Sequence, residues 1–315
     1  MNNFFVEFVK INGIEQYFVH YNRNSNITVI FLHGGPGQSE AHFLYINEKM
    51  DNNYNLVYYD QRGTGKTQIK NKSLQNDVTI EVLINDLKET INYVKNKYQS
   101  KYIILLGHSF GSILSIEFIK KYPKYVNGFI GMGQVVDFIK GEKIAYDYCL
   151  NIVKQSKNKK YIKKMKKLKD YPFSINIDNA IEMLGKFRFI QMKYKLAGYS
   201  KGNFKLFNIM RKSPLFSIED ILVLVSSLKC NKNILDYLLN YNTYNYTNFD
   251  IPIFFICGIN DYQVPTILVK EYFQNIKCPF KDLFIISDSS HLINIENIEE
   301  YNSIVNKICD TINKI

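Results

Sequence analysis

The chain has no closely spaced pair of cysteines. Its five (Cys149, Cys230, Cys257, Cys278 and Cys309) are scattered and odd in number, which excludes a disulfide framework or a Cys-x-x-Cys metal or redox motif and fits reduced thiols in a reducing compartment. It lacks any run of roughly 18 apolar residues, so no membrane-spanning helix is expected. Met1–Val9 has neither a basic lead nor an unbroken apolar stretch, because Glu7 interrupts it; no secretory or transit peptide is expected there, and the cytoplasm is the expected location. Arginine is scarce and tryptophan absent, although the formal net charge is +11. With few arginines and no recognisable groove-reading module, nucleic acid is not an expected partner.

The positive charge is concentrated. Residues 137–245 carry 21 Lys/Arg against 9 Asp/Glu, and the remainder of the chain is close to neutral. Lys154–Lys169 is the densest part and reads as a solvated, lysine-rich helix. A roof that favours acidic substrates or an acidic partner is the competing explanation.

Outside that interval, strand and helix patterns alternate. Phe4–Ile11 and Glu15–Tyr21 flank Asn12-Gly13, a hairpin signal. Ile27–Leu32 is a continuous apolar run, the mark of a strand buried on both faces; Ser39–Met50 reads as a helix and Asn55–Tyr59 as a further strand. Thr79–Tyr98 repeats apolar residues with a helical period. Tyr102–Leu106 and Val126–Met132 are strands around a helix at Ile113–Lys121. The alternation stops near Gln134 and resumes with Ile253–Cys257, a helix at Thr266–Ile276, a strand at Leu283–Ser287 and a last helix from Asn294 to Ile315. This predicts an α/β fold with a mostly parallel central sheet and helices on both faces. Its core would comprise residues 1–133 and 249–315, interrupted by a helical cap at 134–248.

The sheet is organised around Gly107-His108-Ser109-Phe110-Gly111. An apolar strand runs into Gly-x-Ser-x-Gly and a helix leaves it, the sequence form of a sharp turn that holds a serine at the carboxyl end of a buried strand. Ser109 is therefore the candidate nucleophile, and the Phe110 amide points at whatever oxygen that serine attacks. A serine needs a base, and the chain has five histidines. His20 lies in an early strand, His33 opens a glycine-rich turn, His42 falls on a surface-type helix, and His108 should point away from Ser109. His291, in the polar loop after a late strand, belongs to the same sheet edge as Ser109. Asp261 leaves another buried strand at that edge, whereas Asp250 precedes its strand and Asp288 lies too close to His291 to aim at its Nδ1. The order Ser109, Asp261, His291 is that of the α/β-hydrolase sheet. The backbone of His33-Gly34-Gly35-Pro36-Gly37 offers a second oxyanion donor, with Gly34 and Gly35 allowing close approach and Pro36 stiffening the turn. Gly63-Thr64-Gly65-Lys66-Thr67 lacks the first glycine of a phosphate loop, so nucleotide binding is rejected; Asp60 and Arg62 are expected to pair and hold that loop.

Together, His33-Gly34-Gly35-Pro36-Gly37, Asp60-Gln61-Arg62-Gly63-Thr64-Gly65 and Gly107-His108-Ser109-Phe110-Gly111-Ser112 resemble the proline iminopeptidase family of α/β hydrolases. The resemblance covers the sheet on both sides of the insertion. It implies a capped serine hydrolase with Ser109, Asp261 and His291 as triad, the Gly35 and Phe110 amides as oxyanion hole, no metal and no organic cofactor. It further implies an acyl-enzyme route on small peptides or amides, releasing an N-terminal residue, often proline. The family commonly has tryptophan after the serine, where this chain has Phe110. Its substrate amine is read by cap glutamates; Glu142, Glu182 and Glu219 are the glutamates of the cap interval and so the candidates. The same machinery would serve an ester, lactone or thioester, since the triad sees only a carbonyl, and a non-catalytic binding protein is the third reading. The partner implied is a small molecule or short peptide; nothing in the sequence specifies an oligomeric state.

Overall fold

In the computed structural model, residues 4–49, 52–71, 78–176, 178–198 and 201–315 are described. Eight strands form one sheet in the order β1-β2-β4-β3-β5-β6-β7-β8. They are β1 (Phe5–Ile11), β2 (Ile14–Tyr21), β3 (Ile27–Leu32), β4 (Asn55–Tyr59), β5 (Tyr102–His108), β6 (Gly128–Met132), β7 (Ile253–Gly258) and β8 (Lys281–Ile286). The β1–β2 hairpin and the β2–β4 pair are antiparallel, and every later pairing is parallel. Asn12 and Gly13, both at positive φ, close the hairpin, as the mirror-image turn that suits the twist of two paired strands demands. The central strands β3, β5, β6 and β7 are buried along almost their whole length, which is why their sequences show unbroken apolar runs rather than alternation.

Alternate side chains of each central strand feed two separate apolar layers. From β5, Ile103 and Leu105 join the layer beneath α2 (Ile80–Tyr98) and α3 (Phe110–Lys121), while Ile104 and Leu106 face α13 (Ile298–Lys314). On α2, Leu83, Ile84, Leu87, Ile91 and Val94 form the inward stripe, and the Thr79 hydroxyl caps its first turn by accepting from the Val82 amide at 3.3 Å. Each buried leucine or isoleucine of this stripe is worth about 1.5–3 kcal/mol of apolar transfer.

Between β6 and β7 the helices among the described residues are α4 (Phe138–Gln155), α5 (Lys159–Lys166), α6 (Ala180–Lys193), α7 (Asn203–Arg211), α8 (Ile218–Leu222), α9 (Leu224–Cys230) and α10 (Lys232–Leu239), and no strand of the sheet falls there. Tyr146, Cys149, Val153, Tyr161, Met165, Tyr171, Phe187 and Ile190 pack into a third apolar cluster belonging to this segment. Several contacts tie it to the sheet side, two of them near α1. Lys66, in α1 (Gly65–Lys70), pairs with both Asp220 oxygens at 2.9 Å, and the Asn231 side chain donates to the Gly63 carbonyl at 3.0 Å. Thr266–Asn275 (α11) follows β7, and the short Ile293–Glu296 (α12) follows β8.

Several local expectations need correction. Lys154–Lys169 is not one helix: α4 stops at Gln155, Lys157 is left-handed, and the Asn158 side chain caps a new helix, α5, by accepting from the Lys160 and Tyr161 amides. The asparagine offers the chain a helix start that the lysine pattern conceals. Ser39–Met50 is a run of 3₁₀ geometry over Ala41–Lys49, with Met50 outside the described residues. The last helix is divided at Asn297, and β6 begins at Gly128. Asp60 and Arg62 do not pair. The buried Asp60 carboxylate faces the start of α1, taking the Lys66 amide at 2.7 Å and the Tyr58 hydroxyl at 2.6 Å, whereas Arg62 turns outward to make a two-pronged bridge to Asp86 of α2 at 2.8 and 3.0 Å. A carboxylate at a helix start is already stabilised by the amides there, so it needs no arginine.

Candidate active site

Parallel strands deliver their carboxyl ends to one edge of the sheet, and the candidate residues sit in the loops leaving β3, β5, β6, β7 and β8. Ser109 occupies the turn from β5 to α3 with φ 51° and ψ −116°, a conformation that costs an L-residue of order 1–3 kcal/mol and persists only where the surroundings enforce it. They do so through tight approach. A Cβ on Gly107 would come within 2.4 Å of the Gly111 carbonyl oxygen, and one on Gly111 within 2.1 Å of the Leu32 carbonyl oxygen. The Ser109 amide donates to the Met132 carbonyl at 3.0 Å, fixing the turn against the end of β6. Ser109 is partly accessible, while Asp261 and His291 are buried.

His291 Nδ1 lies 2.8 Å from Asp261 Oδ2. The other Asp261 oxygen accepts from the amides of Gln263 at 3.0 Å and Val264 at 2.8 Å, so the carboxylate is held on both sides and its orientation is set before any substrate arrives. This contact favours the tautomer that donates from Nδ1 to Asp261 and leaves Nε2 as the acceptor. Gly133, directly after β6, admits that ring: a Cβ there would lie 3.3 Å from its Cε1 and Nδ1. Asp250 and Asp288 are exposed and stand outside this pairing.

The glycine-rich turn after β3 passes over the serine. A Cβ on Gly34 would sit 3.2 Å from the Ser109 Cβ, and Gly35 adopts φ +119°. Among the described residues the Gly35 amide has no hydrogen-bond acceptor, and the Phe110 amide opens α3, where no intrahelical acceptor exists. The turn is braced by His33, whose Nδ1 donates to the Gly34 carbonyl at 2.7 Å and whose Nε2 accepts from the Gln61 amide at 3.0 Å. Burial pushes His33 below its ordinary pKa, in keeping with a neutral ring of fixed tautomer. Gln61 returns a second bond to the His33 carbonyl at 3.1 Å. Sequence reasoning assigned His33 only to the turn and Gln61 only to a motif; their joint role shows only when β3 and β4 lie side by side.

His42 departs from expectation. It is buried against Phe43 and Phe216 rather than placed on a surface helix. His108 does point away from Ser109, toward Glu40 at 2.7 Å and the His291 carbonyl at 3.0 Å; nothing in the sequence marked Glu40.

The three cap glutamates differ in setting. Both Glu142 oxygens are engaged, one by the Tyr171 hydroxyl and the other by Arg188. Arg188 continues to Gln191 at 2.6 Å, which donates to the Tyr262 carbonyl at 2.8 Å, beside Asp261. Glu182 is exposed and pairs with Lys186, and Glu219 lies exposed in the first turn of α8. Among the described residues no cluster of three or more His, Cys, Asp or Glu could hold a metal ion, and no helix is long and apolar enough to cross a membrane.

This sheet, with a serine in a strand–turn–helix elbow, defines an α/β hydrolase. The chain belongs to the serine aminopeptidase S33 family, whose model matches residues 23–193. A probable aminopeptidase of Bacillus subtilis, YbaC, is 24% identical over 297 residues, covering 92% of this chain and 88% of that protein. A proline iminopeptidase of Saccharolobus solfataricus is 32% identical over 122 residues, 38% of each chain. Among solved structures, a proline iminopeptidase-related protein of Thermus thermophilus superposes with a TM-score of 0.67 at 16% identity, covering 96% of both chains. A thermophilic esterase from Thermogutta terrifontis gives 0.61 at 15%, covering 98% of this chain and 97% of the other. These two likenesses establish the fold. The chain is a serine hydrolase with relatives named as aminopeptidases and structural neighbours that include esterases.

Proposed function

We propose that Ser109, His291 and Asp261 form a catalytic triad and that the chain is an aminopeptidase of the proline iminopeptidase type, acting on small peptides or amides. The observation that carries the reading is the 2.8 Å contact between His291 Nδ1 and Asp261 Oδ2 at the sheet edge that also holds the Ser109 elbow. In this reading Ser109 Oγ attacks the carbonyl carbon while His291 Nε2 takes its proton. Asp261 stabilises the imidazolium that results. The Gly35 and Phe110 amides, lacking other acceptors, receive the oxyanion. His291 then protonates the leaving amine, and water, deprotonated by the same imidazole, releases the acyl group from Ser109.

Residues 134–248 act as a cap over this edge. Of the three cap glutamates, Glu142 is the one linked to the Asp261 loop, through Arg188, Gln191 and Tyr262; it is the candidate for reading a substrate amine, while Glu182 and Glu219 face solvent. Hydrolysis of a small ester, lactone or thioester is the second reading. It is favoured by the engagement of both Glu142 oxygens within the cap and by the cap's concentration of lysine, a poor counterpart for a cationic amine.

The discriminating experiment compares rates on proline 4-nitroanilide and 4-nitrophenyl butyrate, with Ser109→Ala as the blank. Amide cleavage that vanishes when the proline nitrogen is acylated supports the aminopeptidase. Ester cleavage alone supports the second reading. Activity retained by a folded Ser109→Ala variant overturns both.

A further inference from the structure

Beneath the elbow lies a buried ion pair that the proposed chemistry does not use. Glu40 Oε1 accepts from the Gly34 amide at 2.9 Å and from His108 Nδ1 at 2.7 Å, and His108 Nε2 lies 3.0 Å from the His291 carbonyl oxygen. Glu40 and His108 are 8% and 2% exposed. The Glu40 backbone is itself anchored, its amide donating to the Tyr58 hydroxyl at 3.0 Å, which donates in turn to Asp60 at 2.6 Å. Both ring nitrogens of His108 face oxygens that can only accept, a carboxylate and a peptide carbonyl. Satisfying both takes two N–H groups, which only the imidazolium has.

We infer that Glu40 and His108 are a positioning pair for hydrolysis: one buried carboxylate–imidazolium bridge ties the oxyanion turn at Gly34, the strand end before Ser109 and the backbone of His291 into one unit, and places a cation 4.8 Å from the His291 ring. The inference rests on His291 being the base. Three loops that meet only at the sheet edge would otherwise lack this hydrogen-bonded link behind the serine, and a misplacement of about 1 Å at such a site can cost on the order of 10²-fold in rate. Burial opposes the charged forms of both groups, yet each neighbour's charge and hydrogen bond outweigh it: His108 is held above the ordinary histidine range and Glu40 below the ordinary carboxylate range. The titratable groups facing the pair are His33, His42 and Tyr301 around Glu40, and Asp261 and His291 around His108.

The test has two arms. In the first, the pH dependence of kcat/KM on 4-nitrophenyl butyrate is compared for wild type and Glu40→Gln. Without its counterion His108 loses the second proton, the cation beside His291 disappears, and protonating the base becomes easier. The acid limb should move up by roughly half a pH unit or more, with the plateau falling about 10- to 100-fold. A merely structural role would lower the plateau and leave the limb in place, and that result in a folded, active variant overturns the inference. The second arm needs no variant of the pair to fold. In ¹⁵N-labelled wild type titrated upward from acid, with the five histidines assigned by single His→Gln changes, both His108 ring nitrogens should keep their protons past the ordinary histidine value of about 6.5; a His108 ring already neutral there overturns it. Wild type inert toward both nitrophenyl substrates and unlabelled by a fluorophosphonate would sink the hydrolytic reading, and the positioning role with it. An active wild type with a neutral His108 sinks the pair alone.

Discussion

Asp261 and His291 leave different strands, β7 and β8, and are 30 positions apart in sequence, yet Oδ2 of one and Nδ1 of the other are separated by 2.8 Å in the interior. Parallel pairing in register from Ile253↔Lys281 to Gly258↔Ile286 brings the two loops to the same height. Sheet register thus brings the two loops level, and the Gln263 and Val264 amides then aim the Asp261 carboxylate across the gap.

Replacing Asp261 by Asn should preserve the shape and cost about 10³–10⁴-fold in kcat. The amide would still accept from the Gln263 and Val264 amides through its oxygen, presenting an NH₂ toward His291 and reversing the required tautomer. Steady-state kinetics on whichever nitrophenyl substrate is cleaved, alongside circular dichroism, check this; a loss below tenfold would remove Asp261 from its proposed role.

Gly34→Ala tests the oxyanion turn. The added methyl would lie 2.9 Å from Glu40 Oε1 and 3.2 Å from the Ser109 Cβ, so the turn must shift away from the serine. Because Gly34 is not at positive φ, the backbone itself tolerates alanine. The expected result is a drop in kcat of about 10²-fold, with KM changed far less. A substituent that raised KM alone would mean the turn binds substrate without stabilising the oxyanion.

In the helical segment, Glu142→Gln leaves the Arg188 guanidinium without its carboxylate. Removing one member of a fully buried pair costs about 3–5 kcal/mol, and less is expected here because the Arg188 side chain is 22% exposed; replacing both members by apolar groups recovers much of the loss. Denaturant unfolding of Glu142→Gln and of Glu142→Gln/Arg188→Met should therefore show the double variant as the more stable of the two.

Stability should fall on mild acidification. Burial pushes His20 and His42 down to about 4. The unfolded chain takes up those protons near the ordinary histidine value of about 6.5, so between that pH and about 4 the unfolded state binds more protons than the folded one. Their contribution is complete above about pH 6.5 and is lost progressively as the pH falls toward about 4. Thermal melts from pH 7 to 4 should show Tm declining across this window, with a shallower slope for His42→Gln. An equal slope in that variant would mean that carboxylates alone carry the acid sensitivity.

The fold was legible where composition leaves the chain one option. Runs such as Ile27–Leu32 and Ile253–Cys257 cannot be solvated on either face, and they are buried strands. Ser109 was legible from the glycines at 107 and 111, whose missing side chains make room for the turn. What escaped notice depends on relationships across the sheet. Whether Asp60 needed Arg62 could not be seen without knowing that it faces the start of α1. His42 looked solvent-facing because its burial comes from Phe216, far along the chain. Glu40 carries no local signal at all, since its partners lie at Gly34 and His108. The break between α4 and α5 was hidden by uniform lysine content, although Asn158 is a recognisable cap.

The order of the parts along the chain has a consequence for biosynthesis. The glycine turn and the serine elbow belong to strands β3 and β5, made early, whereas Asp261 and His291 follow β7 and β8, made late. Domains fold as they emerge, the amino-terminal portion first. On the ribosome, a partly made chain would thus display Ser109 before the proposed base and acid, His291 and Asp261, are made. With the proposed triad, hydrolytic power would switch on only when β8 docks beside β7, sparing peptides and esters around the nascent chain until its sheet is complete.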